Sequence, residues 1–161
     1  MFESVLFTKK IIETVGLPEI NTIETEPFNT EYESCNFYIG EQKYRNRMAK
    51  KTENKKGYFV VFWTKDKNNK NRPYTWEETP EKLIVTVLDQ DKKRQFIFPR
   101  EVLLEKQIIS KDNIKGKMAM RVYPSWEDEL NKTAMRTQNW QNDYFIDFNS
   151  YVNEEKINIL Y

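Results

Sequence analysis

Arg45, Arg47, Lys50, Lys51, Lys55 and Lys56 all stand in one run, YRNRMAKKTENKKGYFVVFW, that closes on an apolar segment. A guanidinium grips a phosphate through two parallel hydrogen bonds, and clustered ammonium groups add a salt-dependent attraction, so this pattern suits polyanion binding. In an extended strand Arg45 and Arg47 lie on one face, about 6 to 7 Å apart. The same residues also suit a solvated edge strand whose charges keep sheets from joining edge to edge.

Further along, Arg121 alternates with apolar neighbours in KMAMRVY. Its candidate roles are an ion pair with Glu33 or Glu101, or a shared anion site with Arg45 and Arg47. Trp126, Lys132, Arg136 and Trp140 follow, and Lys132 and Arg136, four apart, share one side of a helix. Rings beside cations would suit unpaired bases. Trp140 reads more simply as core. The candidate nucleic-acid contacts are therefore Arg45, Arg47, Lys50, Lys51, Lys55, Lys56, Arg121, Trp126, Lys132 and Arg136.

A metal-dependent nuclease would gather carboxylates around a divalent ion, with a lysine near the attacking water. Glu33, Asp89, Asp91, Glu101, Lys50 and Lys106 are the available ingredients, but their spacing is not diagnostic. An Asp followed on the next strand by Glu-x-Lys is absent in recognisable form. No catalytic residue, metal ligand or cofactor is assigned. No phosphate-binding loop, dinucleotide fingerprint or HExxH is present.

Composition narrows the chemistry. The 161 residues contain no histidine and one cysteine, Cys35, which removes an intramolecular disulfide and any Cys/His zinc site. The formal charge of +1 conceals an uneven distribution: residues 1–40 carry −5, residues 41–72 carry +8 and residues 73–161 carry −2. A local field of that sign can attract a polyanion to a nearly neutral molecule. No leader and no membrane-spanning run is visible, so the expected location is the cytoplasm.

The elements that must position these residues can be read in order. Residues 2–15 form an apolar-faced helix stopped by Gly16 and Pro18; residues 19–31 are an acidic connector or short edge element. Cys35, Phe37 and Ile39 alternate as a strand. Residues 44–50 and 58–63 form a hairpin around a lysine-rich turn, with Tyr58–Trp63 as the central strand. Strands follow at 83–88 and around Phe96 and Phe98, then a short helix at 100–107 and a strand over 118–122. A long helix over 127–146 starts from a near capping box at Ser125 and Asp128. Residues 147–161 end in a strand at NILY or pack loosely. This order implies one α+β domain over 1–161, a curved mixed or antiparallel sheet flanked by an N-terminal and a long C-terminal helix. A three-layer α/β arrangement is the rival.

Three stretches, RNRMAKKTENKKGYFVVFW at 45–63, QFIFPREVLLEKQIIS at 95–110 and KMAMRVYPSWEDELNKTAMRTQNWQNDYF at 117–145, resemble the MepB-like proteins. These are small bacterial cytoplasmic proteins, one of them encoded beside a multidrug efflux pump. The resemblance implies a restriction-endonuclease-like fold and nucleic-acid binding, with no established reaction. Glu53 departs from the proline the family carries in its lysine-rich turn. The leading expectation is a protein that binds DNA or RNA through phosphates without catalysis. The alternatives are a nuclease with a degenerate site and a protein-interaction accessory factor.

Overall fold

The computed structural model describes residues 1–148 and 152–161. Helix α1 (Glu3–Thr14) leads into strands β1 (Ile20–Thr25), β2 (Cys35–Ile39) and β3 (Gln42–Met48). The chain then forms β4 (Lys50–Lys51), β5 (Tyr58–Val61), β6 (Trp63–Lys65) and β7 (Asn71–Pro73). Next come β8 (Lys82–Asp89), β9 (Lys92–Pro99), α2 (Arg100–Glu105) and β10 (Ala119–Val122). The last elements are α3 (Lys132–Gln141), β11 (Phe145–Asp147) and α4 (Glu154–Leu160).

Six strands make the main sheet in the order β1-β2-β3-β8-β9-β11. Its pairs are antiparallel except β3 with β8, which run parallel. A second sheet, β10-β5-β4, and the small ribbon β6-β7 arise inside or after the crossover between β3 and β8. The fold is thus α+β with a mixed sheet and helices at both ends of the chain.

Both faces of the main sheet are covered. On one, Val5, Ile11 and Ile12 of α1 and Ile157 of α4 pack on Phe37, Tyr44, Ile84 and Ile97. On the other, Tyr58, Val60 and Val122 of the second sheet and Leu103 of α2 pack on Leu83, Val85, Phe96 and Phe98. Each fully buried aliphatic or aromatic side chain contributes roughly 1.5–3 kcal/mol. Double coverage explains why β8 reads LIVTV, buried throughout, rather than as strict alternation.

Four expectations change. Residues 44–50 are not one strand: β3 ends at Met48, and after buried Ala49 the chain enters the second sheet as β4. The centre of the main sheet is accordingly β3 and β8, and β5 is the middle strand of the smaller sheet. The expected helix over 127–146 is confined to α3, because Asn131, whose Oδ1 accepts from the Ala134 amide at 2.8 Å, supplies its cap. Phe145 belongs to β11 on the sheet edge. The NILY segment lies in helix α4 and its C-cap Tyr161, where Asn153 caps the start and Ile157 reaches the core.

Candidate nucleic-acid interface

Parity along β3 is as its sequence suggests, but neither face meets solvent. Asn46 points toward α1 and donates to Ser4 Oγ at 2.8 Å. Arg45 and Arg47 point to the opposite side and are 6 % and 0 % exposed. Arg45 Nε donates to Glu26 Oε1 at 2.9 Å, and Arg47 Nη2 donates to Glu26 Oε2 at 2.7 Å. Tyr74 donates its hydroxyl proton to the same carboxylate at 2.9 Å, and the Arg45 guanidinium lies 3.7 Å from the Tyr74 ring centroid. Arg47 also donates to the carbonyls of Val61 and Asn46 and to Asn29 Oδ1. Burial alone would raise the Glu26 carboxyl, yet Arg47 and Arg45 together hold it down to about 2.

The expectation that Arg45 and Arg47 touch phosphate is therefore corrected. Their donors are committed to Glu26 and to backbone carbonyls inside the protein, and reaching them would require leaving a buried carboxylate unpaired. The cationic run divides into an internal pair of arginines and an external set of lysines.

The lysines are exposed at Lys50, Lys51, Lys55 and Lys56. Lys50 Nζ lies 5.1 Å from the Tyr32 ring centroid, whereas Lys51, opposite in parity, is 3.7 Å from Asp89. Lys56 reaches Asp128 and Glu129 at 3.4 and 3.9 Å, exposed pairs of the kind that contribute little and exchange readily.

Arg121 takes neither role weighed for it. Its Nη1 donates to the Lys56 carbonyl at 3.1 Å and its Nη2 to Thr52 Oγ1 at 2.8 Å, so it clasps both ends of the lysine-rich turn. The side chains of Arg121 and Tyr123 line two adjoining clefts. One, of about 500 Å³, lies between the lysine-rich turn and the start of α3, with Lys55, Lys56, Glu129 and Asn131 in its walls. The other, of about 430 Å³, continues between β10 and α3, with Lys106, Lys117, Arg136 and Trp140.

Arg136 joins this groove, but Lys132, exposed on the first turn of α3, lines neither cleft. Trp126 also lies away from it. Its Nε1 donates to the Tyr58 hydroxyl at 3.1 Å, and Tyr58 in turn donates to Asp89 at 2.7 Å. Trp126 thus closes the inner side of the second sheet, beside Arg94 at 5.4 Å.

Lys117 and Tyr123 were not among the sequence candidates, and Lys106 was weighed only as part of a nuclease site, not as a nucleic-acid contact. Lys117, Ala119, Arg121 and Tyr123 share odd parity, which was a readable signal that Lys117 and Tyr123 accompany Arg121. Lys106 reaches the groove only through the packing of α2 beneath Trp140, where its Nζ is 5.5 Å from the ring centroid.

Of the carboxylates considered for metal binding, two have other partners and two lie apart at the surface. Glu33 accepts from the amides of Ser4 and Glu3 at 2.8 and 3.3 Å, capping α1, which lacks a side-chain cap of its own. Asp89 accepts from Tyr58, while Asp91 and Glu101 are exposed in the β8–β9 turn and on α2. Among the described residues, no three His, Cys, Asp or Glu side chains are placed to hold a metal ion. Among the same residues, no helix is long and apolar enough to cross a membrane.

These features define an α+β protein with a mixed six-stranded sheet, a buried Arg–Glu–Arg cluster and an external cationic groove. The MepB-like family profile matches residues 26–147, and the chain belongs to that family. It is similar to the crystal structure of MepB, with 44% sequence identity and a TM-score of 0.82 over 94% of this chain and 100% of that one. A bacterial homing endonuclease overlaps 85% of each chain at 12% identity and a TM-score of 0.49, too low to carry a conclusion. No functionally curated protein matches.

Proposed function

We propose that this MepB-like protein acts as a single cytoplasmic domain that binds DNA or RNA through the phosphate backbone, without chemistry of its own. The observation that carries this reading is the pair of adjoining clefts. Six cationic side chains, Lys55, Lys56, Lys106, Lys117, Arg121 and Arg136, line them against one carboxylate, Glu129. Arg121 and Tyr123 belong to both clefts, so the cations follow one path suited to successive phosphates. Four of the six are lysines, three of them exposed, which supply attraction without a base-reading geometry, and sequence preference is expected to be weak.

The test is a fluorescence-anisotropy titration with labelled single- and double-stranded DNA and RNA at about 50 and 200 mM salt. Binding at the lower salt that weakens by an order of magnitude or more at the higher one is the expected result. No binding to any of the four at low salt would overturn the proposal.

A further inference from the structure

The second sheet has an outer face that the clefts only border. Register places Arg121 opposite Phe59 and Phe59 opposite Lys50, and directly opposed residues in antiparallel strands share a face. Tyr58 and Val60, of the other parity, are buried, whereas Phe59 is half-buried and belongs to neither core. Tyr32, from a short 3₁₀ turn over Thr30–Tyr32, meets the Phe59 ring at 6.3 Å with planes 67° apart. The Arg121 guanidinium stands 5.4 Å from the Phe59 centroid, and Lys50 Nζ stands 5.1 Å from that of Tyr32. The row therefore runs cation, ring, ring, cation, and Arg121 joins it to the phosphate-binding groove. Glu31 and Glu53 are exposed nearby, in the 3₁₀ turn and the lysine-rich turn.

We infer that the nucleic acid taken by the groove is single-stranded, with an unpaired base stacking on Phe59 and Tyr32 while Arg121 and Lys50 meet the flanking phosphates. This inference rests on the phosphate-binding reading above and specifies its ligand. Every base has a π-face, so rings interleaved with cations bind single strands with little regard to sequence. A duplex keeps its bases stacked inside and presents only backbone to such a face. Phosphate contacts alone give no reason for an aromatic ring to stand partly open between Arg121 and Lys50.

The test compares a labelled oligothymidylate, the matching oligouridylate and a blunt DNA duplex of equal length, with wild type, Phe59→Leu, Phe59→Trp and Lys55→Gln/Lys56→Gln, each checked by circular dichroism and thermal melting. Wild type is expected to favour single strands over duplex by tenfold or more. Phe59→Leu should weaken single-strand binding about tenfold, the scale of one lost base stack, and leave duplex binding unchanged. Phe59→Trp should retain single-strand affinity and lose tryptophan fluorescence on binding, beyond the change from the four native tryptophans. Equal wild-type affinity for duplex and single strand, an unaltered Phe59→Leu or an unquenched Phe59→Trp would each overturn the inference. If the lysine double variant weakens binding while Phe59→Leu does not, phosphate binding stands and base stacking falls. If no nucleic acid binds at low salt, both fall.

Discussion

Gln141, the last residue of α3, donates its side-chain amide to the Arg121 carbonyl at 2.9 Å and accepts from the Tyr123 amide at the same distance. Completely buried, it fills the free edge of β10 as an added strand would and ties the groove's two walls together. Gln141→Leu keeps much of the volume but leaves both backbone groups unpaired. The expected loss is about 1–3 kcal/mol in urea unfolding. A stability unchanged within error would show that water replaces the side chain.

Glu26 makes stability depend on acid. Its carboxyl lies at about 2 in the folded protein against an ordinary 4.5, so folding favours the ionised form. The resulting stabilisation, about 3 kcal/mol, is fully present above the unfolded-state value and drains away as pH falls toward the folded one. Glu78, held down to about 2 by its hydrogen bonds from Arg72, titrates over the same window but contributes less because solvent screens it. Glu26→Gln leaves two buried arginines without a counter-charge and should cost about 3–5 kcal/mol at neutral pH. Unfolding free energies measured from pH 5 down to pH 2 should fall less steeply for that variant than for wild type.

Gly57 ends the lysine-rich turn with φ at +79°, and a Cβ there would meet Tyr123 ring carbons at 2.7 Å and the Val122 carbonyl at 3.0 Å. Gly57→Ala therefore combines a disfavoured backbone with a collision against a residue of the groove. About 1–3 kcal/mol of stability should be lost. Thermal melting measures that cost, and the anisotropy titration should show weaker binding at temperatures where the variant remains folded.

Cys35 is wholly enclosed, and burial pushes its thiol up to about 12, only partly opposed by Arg47. Because the thiolate is the reactive form, an aromatic disulfide reagent at pH 8 should modify the native protein orders of magnitude more slowly than the urea-unfolded chain. A rapid native reaction would show that the α1 side of the sheet opens easily.

Much of the frame was legible because it is local. Period-two alternation marked Cys35, Phe37 and Ile39, and Gly16 and Pro18 marked the end of α1; both assignments rest on neighbours a few residues away. The cationic run was legible as composition but not as exposure. Arg45 and Arg47 look like surface residues until Glu26, nineteen and twenty-one positions earlier, is brought between them. Glu26 itself sits in an acidic stretch that reads as a connector or short edge element. The lysines beyond Ala49 face water because the chain has by then left the main sheet, a change of sheet that no periodicity announces. Phe59 was separable from Tyr58 by parity, but which parity faces outward is decided by β8 and β9 packing beneath the second sheet.

The parallel join of β3 to β8 also has a consequence in time. The β2–β3 and β8–β9 hairpins close over residues 40–41 and 90–91, contacts of the sort formed in microseconds. Joining them requires residues 49–81 to be looped out, and the outer sheet is complete only when β10 arrives from still farther along the chain. The face that carries Phe59 should consequently be among the last surfaces to form. Pulse-labelled hydrogen exchange during refolding should protect β8–β9 amides before those of β5 and β10, leaving a folding chain with its interior sheet paired before its outer face exists.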